Sequence, residues 1–333
     1  MKILLTGAFG NLGTSCIKEL AKQGHEIRCF DIKSKMTEKR YEKYKSTPNM
    51  EVFWGDILDK NSIKNALEGI EGIIHTAAII PPMSEKSPEV AKKVNVTGTK
   101  NLIEEAEALS DIKQFVFASS VSIHGSQKPT NPPVKVTDPL KPSDNYTHHK
   151  VECEEYIYNC KLNWTIVRFG AILAVETEGQ ERGGIDDFTL ELLFGIPLEQ
   201  KIEIIHSYDA ARSMINALGN DRAVKRIFFG GGGKECQTYQ KEFIFPYLKT
   251  MGMSGMPDNV FIKPQSDSDW YYTHWMDTTE SQEVLQYQNI TYDQYLKDQK
   301  KPNILNRLLM FFIGPFIKRS LIKKSPYKSG KKI

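Results

Sequence analysis

Cysteine is scarce in this 333-residue chain: five residues, an odd number, with no Cys-x-x-Cys pair. That argues against a secreted disulfide framework, which uses even, closely spaced sets. Cys153 and Cys160 lie seven positions apart in a stretch expected to be helical, so they are roughly 10 Å apart and too far to bridge. Long hydrophobic runs are also missing. No stretch reaches the ~18 uncharged apolar residues of a membrane span. The apolar run Met1 to Leu5 meets Gly7 too soon to be the core of a targeting peptide. The seven histidines are scattered, without His-Glu-x-x-His or a Cys/His cluster, which argues against a metal site. Charge of one sign is not in excess either: 44 Lys and Arg face 41 Asp and Glu, a net +3. A chain so balanced is not built as a whole to bind nucleic acid. With 40% hydrophobic and 26% charged residues, what remains is an ordinary globular protein of about two domains, expected in the cytoplasm.

What is present is an alternation. Apolar strand-like segments at 2–6, 25–31, 50–56, 72–78, 114–120 and 164–169 are separated by stretches with helical spacing, among them one long helix expected over 86–109. Residues 33–48 read as an exposed loop or surface helix. Crossovers of that length predict an α/β fold, a doubly wound parallel (Rossmann) sheet with ligands at the carboxyl ends of its strands. Beyond Arg168 the alternation fades. The expected organisation is a dinucleotide-binding domain over 1–170, with 201–233 returning to it, and a smaller C-terminal substrate-binding domain from 171–200 and 234–296. A helix is expected near 186–194.

Gly7-x-x-Gly10-Asn11-Leu12-Gly13 sits between the first strand and the first helix. Small residues there permit a tight turn, close approach of a pyrophosphate and close helix–strand packing, and the helix N-terminus offers N–H groups to phosphate. Asp31 closes the second strand, where a carboxylate accepts from both adenosine ribose hydroxyls and repels a 2′-phosphate, favouring NAD over NADP. The spacing Tyr146-x-x-x-Lys150 puts two side chains on one helix face. The same spacing at Tyr41/Lys45 and Tyr327/Lys331 carries no comparable context, because only Tyr146 follows a strand that ends in serines, Ser119 and Ser120. The run Gly230 to Gly233 with Lys234 fails as a phosphate loop, since Phe228 and Glu235 stand where glycine and Ser/Thr are needed.

These pieces, together with Gly55-Asp56-Ile57, His75-x-Ala77-Ala78, Asn95-Val96-x-Gly98-Thr99, Arg168, His206-x-x-Asp209 and Trp275-x-Asp277-Thr278, resemble the extended branch of the short-chain dehydrogenase/reductase superfamily, the NAD-dependent epimerase/dehydratase family. The resemblance runs in order from residue 1 to about 296. It implies an NAD-dependent oxidoreductase that transfers hydride at a secondary alcohol or ketone. Tyr146 would be the acid/base and Ser120 a donor to the substrate oxygen. Lys150 would lower the Tyr146 pKa and hydrogen-bond the nicotinamide ribose. Asp56 and Ile57 would lie at the adenine end, Ala77, Ala78 and Asn95 along the cofactor path. His75 is expected to be structural, and His148 or His149 could face the substrate. The substrate would be a sugar nucleotide or an apolar alcohol or ketone, and family members often form homodimers through 95–109 and 146–160. Two other readings stay open: a nucleotide-sugar 4-epimerase, and a cofactor-binding scaffold or sensor without turnover. Ser120-Val121-Ser122-Ile123 lacks the Asp-Glu pair of the dehydratases, and Phe169-Gly170-Ala171-Ile172 lacks the Asn of many 4-epimerases.

Residues 297–333 form a basic amphipathic tail unlike the rest. They hold eleven Lys and Arg against one Asp, a local charge of +10, while residues 1–296 hold 33 Lys and Arg against 40 Asp and Glu, a charge of −7. The apolar run from Leu308 to Ile317 is about 15 Å long as a helix, too short to span, and Pro315 is expected to interrupt it. An anionic membrane surface is the expected partner of this segment, with packing on the body the alternative.

Overall fold

The apolar segments become strands because parallel strands covered on both faces need unbroken Ile, Leu, Val and Phe. In the computed structural model, which describes residues 1–109, 111–173, 193–250, 252–300 and 304–328, ten strands are formed. They are β1 (Lys2–Thr6), β2 (Glu26–Asp31), β3 (Met50–Trp54), β4 (Gly72–His75), β5 (Gln114–Ser120), β6 (Trp164–Phe169), β7 (Ala171–Leu173), β8 (Lys201–His206), β9 (Arg226–Gly230) and β10 (Gln237–Tyr239). Seven make one parallel sheet in the order β3-β2-β1-β4-β5-β6-β9. The winding reverses between β1 and β4, which opens a crevice at their carboxyl ends. The doubly wound sheet expected from the alternation is therefore present, with a smaller C-terminal part beside it.

Helices α1 (Asn11–Lys22), α2 (Lys35–Tyr44), α3 (Lys60–Leu67), α4 (Met83–Lys86), α5 (Pro88–Lys92), α6 (Gly98–Glu107) and α7 (Asn145–Asn159) follow in the first half. One face of the sheet packs Ile3, Leu5, Ile74 and Val167 against Ile17 and Leu20 of α1 and Met214 of the later helix Ser207–Ile215. The other packs Leu4, Ile73, Phe115 and Ile166 against Ile63, Leu102 and Ile157 of α3, α6 and α7. All five cysteines are buried thiols. The stretch 33–48 resolves into α2 because Ser34 and Thr37 form a reciprocal cap and Thr37, Arg40 and Tyr44 bury one face.

The long helix expected over 86–109 is present from Pro88 to Glu107, opened by Pro88 and running from α5 through a π turn at residues 93–97 into α6. Two expectations change. Of 201–233, only β9 enters the large sheet. β8 is instead the middle strand of a three-stranded sheet, β10-β8-β7, where the buried Glu203 carboxylate accepts from the N–H groups of Gly233 and Met276 and from Gln237. The residues Gly230 to Gly233 serve that packing, since a Cβ at Gly231 would run into Glu203. Pro315 does not end its helix, which runs from Ile304 to Lys324. The helix expected near 186–194 falls largely outside the described residues.

A buried ion pair joins α7 to β6. Arg168 Nη2 lies 2.7 Å from Glu154 Oε2, both side chains almost fully enclosed. Ser119 Oγ donates to the same carboxylate, and Arg168 also donates to the Val136 carbonyl. Removing one partner of such a pair leaves a charge without compensation. Glu154→Gln is accordingly expected to cost about 3 kcal/mol of unfolding free energy, read from urea denaturation; a loss under about 1 kcal/mol would show that the pair does not hold α7.

Candidate active site

At the switch point the end of β1 meets the end of β4 backbone to backbone. Gly7 has φ +65°, and a Cβ there would sit 2.7 Å from both Cα and N of Ala77. A Cβ at Gly13 would overlap the carbonyl oxygens of Gly7 and Ala8. Gly10 caps α1 without a side-chain hydrogen bond, and no acid stands in the first turn, so the positive end of the helix, with Asn11 exposed and Leu12 half-buried, faces the crevice. Ala77 and Ala78 line the other wall with methyl groups only. Such a cradle fits a dinucleotide pyrophosphate, and a side chain at Gly7 or Gly13 would collide with the backbone that shapes it.

Asp31 stands beside this turn. Its Oδ2 accepts from Phe9 N–H at 2.9 Å and its Oδ1 from Ile32 N–H at 2.8 Å, while the Arg40 guanidinium donates to the Phe9 carbonyl. Burial raises the Asp31 pKa; the two N–H groups and Arg40 oppose that rise. Ile57 is buried against Gly98, and exposed Asp56 turns its carboxylate onto Leu58 N–H. Asn95, expected along the cofactor path, also ties two chain segments together. Its amide pairs with the Ile79 peptide, accepting from N–H at 2.7 Å and donating to C=O at 2.8 Å. It holds the segment after β4 in place, from the π turn that the sequence pattern did not reveal. His75 is structural: its Nδ1 is 2.6 Å from Thr6 Oγ1 and its Nε2 2.9 Å from Thr99 Oγ1, and burial lowers its pKa to about 3. His149 is buried beside Asn95, and His148 is exposed.

Ser120, Tyr146 and Lys150 come together. Ser120 ends β5, accepts from Ser122 N–H and lies 2.8 Å from Ser122 Oγ; the Tyr146 phenol lies close enough for Ser120 to bear on its pKa. Lys150, one turn further along α7, is only 4% exposed. Its Nζ donates to the Ala118 carbonyl at 2.6 Å, 4.4 Å from the Phe117 ring centroid and 5.7 Å from that of Tyr146. Burial lowers the Lys150 pKa to about 8. The Tyr146 pKa is raised, first by burial and then by Asp144, with the Ser120 hydrogen bond opposing. Lys150 was expected to lower it; in this arrangement the ammonium is tied to Ala118 and desolvation of the phenol dominates.

Two residues of the site escaped the sequence reading. Glu85 of α4 accepts from the N–H groups of Asn145 and Tyr146, both at 3.2 Å, and from Asn145 Nδ2 at 2.7 Å. Asp144 takes the next N–H, that of Thr147, at 2.7 Å. Two carboxylates thus satisfy the start of α7. The second is Tyr272, near enough to Tyr146 to raise its pKa and stacked on Tyr271 with centroids 4.0 Å apart. Neither had a signal, since an acid in a short polar segment and a tyrosine in a long loop have no periodicity.

The model of the 3-beta hydroxysteroid dehydrogenase/isomerase family matches residues 4–173, about half of the chain. The chain belongs to that family. Within it, the match takes in the glycine turn, Ser120, Tyr146 and Lys150. An uncharacterized protein of Sinorhizobium fredii is 31% identical over 222 residues, 64% of this chain and 52% of that one. A 3-beta-hydroxysteroid dehydrogenase of Mycolicibacterium neoaurum is 31% identical over 163 residues, 47% of this chain and 42% of that one. The chain thus spans about half the length of the curated relatives it matches. In fold, this family member is similar to UDP-glucuronic acid 4-epimerase from Bacillus cereus, solved with UDP-glucuronic acid and NAD, at a TM-score of 0.74, 19% identity, 90% of this chain and 98% of that one.

The depressed Lys150 pKa has a consequence for stability. Between about 8 and 10.5 the unfolded chain binds a proton at this position that the folded chain has lost, so folding becomes more favourable as pH rises through that window. The expected gain from about pH 7.5 to about pH 9.5 is about 2 kcal/mol relative to Lys150→Met, from denaturant titrations of both proteins without cofactor. Parallel pH profiles of the two would refute a neutral buried lysine.

Proposed function

We propose that the chain is an NAD-dependent oxidoreductase acting at a secondary alcohol or ketone of an apolar substrate, with Tyr146 as general acid/base. The observation that carries this reading is the meeting of Tyr146 with Ser120 at the carboxyl end of β5, with Lys150 enclosed one helical turn behind, its Nζ on the Ala118 carbonyl and 5.7 Å from the Tyr146 ring centroid. The backbone of Gly7, Gly10 and Gly13 and the carboxylate of Asp31 would hold NAD, as bound in the Bacillus cereus epimerase, with Ala77 and Ala78 admitting it. When bound, NAD supplies the hydride acceptor or donor.

The chain's own groups handle the proton and the position of the substrate oxygen. Ser120 and Tyr146 point at one place, so an alcohol oxygen lying there is held by two hydroxyls. In oxidation the Tyr146 oxygen takes the alcohol proton; in reduction it returns one to the carbonyl oxygen. The charge on Lys150 favours the phenolate, against the burial that opposes it. Glu85 and Asp144 keep the first turn of α7 from fraying and so keep Tyr146 over Ser120. The apolar substrate class is supported by Ile80 and Met83, 53% and 48% exposed on the segment that Glu85 ties to α7, and by the hydroxysteroid activity in the name of the curated relative.

Tyr146→Phe is expected to lower turnover of a hydroxysteroid probe by about a hundredfold or more with NAD affinity unchanged, followed as NADH absorbance and by NAD titration. A rate near that of the unmodified chain would remove Tyr146 from the mechanism. A nucleotide-sugar 4-epimerase would form no net NADH with a hydroxysteroid or with a nucleotide-sugar probe, and a scaffold would be indifferent to the substitution in every assay. Glu85→Ala should lower kcat about tenfold, with a smaller change in KM, because its N–H partners set the position of Tyr146 and not of the bound substrate; equal loss in both would assign Glu85 to substrate binding instead.

A further inference from the structure

The helix Ile304–Lys324 is 21 residues, about 31 Å long. Length alone would let it cross a bilayer, yet no helix among the described residues is both long and apolar enough to do so. Its two sides differ. Leu321 is buried, and Ile317 and Ile322 pack with it on Leu198, Leu248 and Val260 of the C-terminal part. Lys318 Nζ donates to the Ser254 carbonyl, and the Ser325 hydroxyl beyond the helix donates to that of Val260. The helix is therefore seated on the body by one side. At 100° per residue, Phe312, Phe316, Arg319 and Lys323 fall on the opposite side, with Ile313 and Lys324 at its border. Phe312 is 67% and Phe316 76% exposed, and Arg319, Lys323 and Lys324 are exposed as well.

A single outward stripe thus bears two aromatic side chains at one end and three cations at the other. The side turned away from Ile317, Leu321 and Ile322 carries much exposed aromatic surface. The charge argues for the occupant, since residues 297–333 carry +10 while residues 1–296 carry −7. An acidic surface would attract the stripe, while the net negative charge of residues 1–296 gives the body no overall attraction to it. We propose that this stripe docks the protein on an anionic lipid surface, with Phe312 and Phe316 inserted among the acyl chains and Arg319, Lys323 and Lys324 at the headgroup phosphates. The helix lies in the plane of the interface and does not span it. Because its inner side is fixed to residues 194–261, docking brings the C-terminal part to the lipid. This inference is independent of the reaction proposed above.

Co-sedimentation of the full chain with vesicles tests it. Vesicles of phosphatidylcholine with about 30% phosphatidylglycerol are compared with phosphatidylcholine alone, at low and high salt. The bound fraction should be about tenfold higher on the anionic vesicles at low salt and fall as salt rises. Phe312→Ser with Phe316→Ser, and separately Arg319→Glu with Lys323→Glu and Lys324→Glu, should each lower vesicle affinity about tenfold or more. Both variants change exposed side chains, and unaltered melting temperatures would show that the helix remains seated. Absence of binding, equal binding to both vesicle types, or undiminished binding of the variants would each overturn the proposal. So would a chain that self-associates in the absence of lipid, loses that association in the Phe variant and ignores vesicles, which would assign the stripe to a second copy.

Discussion

Two buried charges one helical turn apart on α7 set the geometry on which the site depends. The ammonium of Lys150 is fastened to the Ala118 carbonyl of β5, and the carboxylate of Glu154 to Ser119 of β5 and Arg168 of β6. Neither charge can leave its partner without facing an apolar interior, so the helix cannot slide or rotate against the sheet. Because side chains four apart share a helix face, the next position in that row is Tyr146, which falls beside Ser120. The same contacts that hold the core together thereby place the phenol. At the start of the helix, Glu85 and Asp144 complete the arrangement by satisfying its first N–H groups.

The second constraint is the lack of room between β1 and β4. Gly7 touches the backbone of Ala77 so closely that no side chain fits. The winding of the sheet reverses at this point, so the crevice it leaves faces the same edge as Ser120. The cradle and the Ser120–Tyr146 pair therefore lie at the carboxyl edge of one parallel sheet. The segment following β4 runs between them, pinned by Asn95 through Ile79 and joined to α7 by Glu85. A displacement of that segment would disturb the crevice wall and α7 together.

Much of this was legible before any coordinates. Continuous apolar runs separated by helical spacing revealed six strands of the large sheet, because buried parallel strands admit little else. Gly7, Gly10 and Gly13 were legible from their place at the first strand–helix junction, and Tyr146 and Lys150 from a serine-ended strand upstream. The pairing of Asn95 with the Ile79 peptide was not legible, because its backbone forms a π turn that no side-chain pattern announces. The sheet that β8 joins was not legible either, since a short apolar strand carries no mark of which neighbour it pairs with. Pro315 was expected to interrupt its helix, although a solvent-facing proline removes one hydrogen bond without requiring the chain to stop.

By itself the sequence determined the doubly wound topology, the glycine turn, the acid/base candidates and the division of charge between residues 1–296 and 297–333. These depend on local composition and spacing, which side-chain periodicity records directly. Only the tertiary structure decided which side of the helix Ile304–Lys324 faces outward, that Lys150 is neutralised toward pH 8 by enclosure, and that Glu85 closes the start of α7. Each of these arises from groups distant in sequence meeting in a low-dielectric or solvent-exposed place, and burial of that kind is a property of the packed chain.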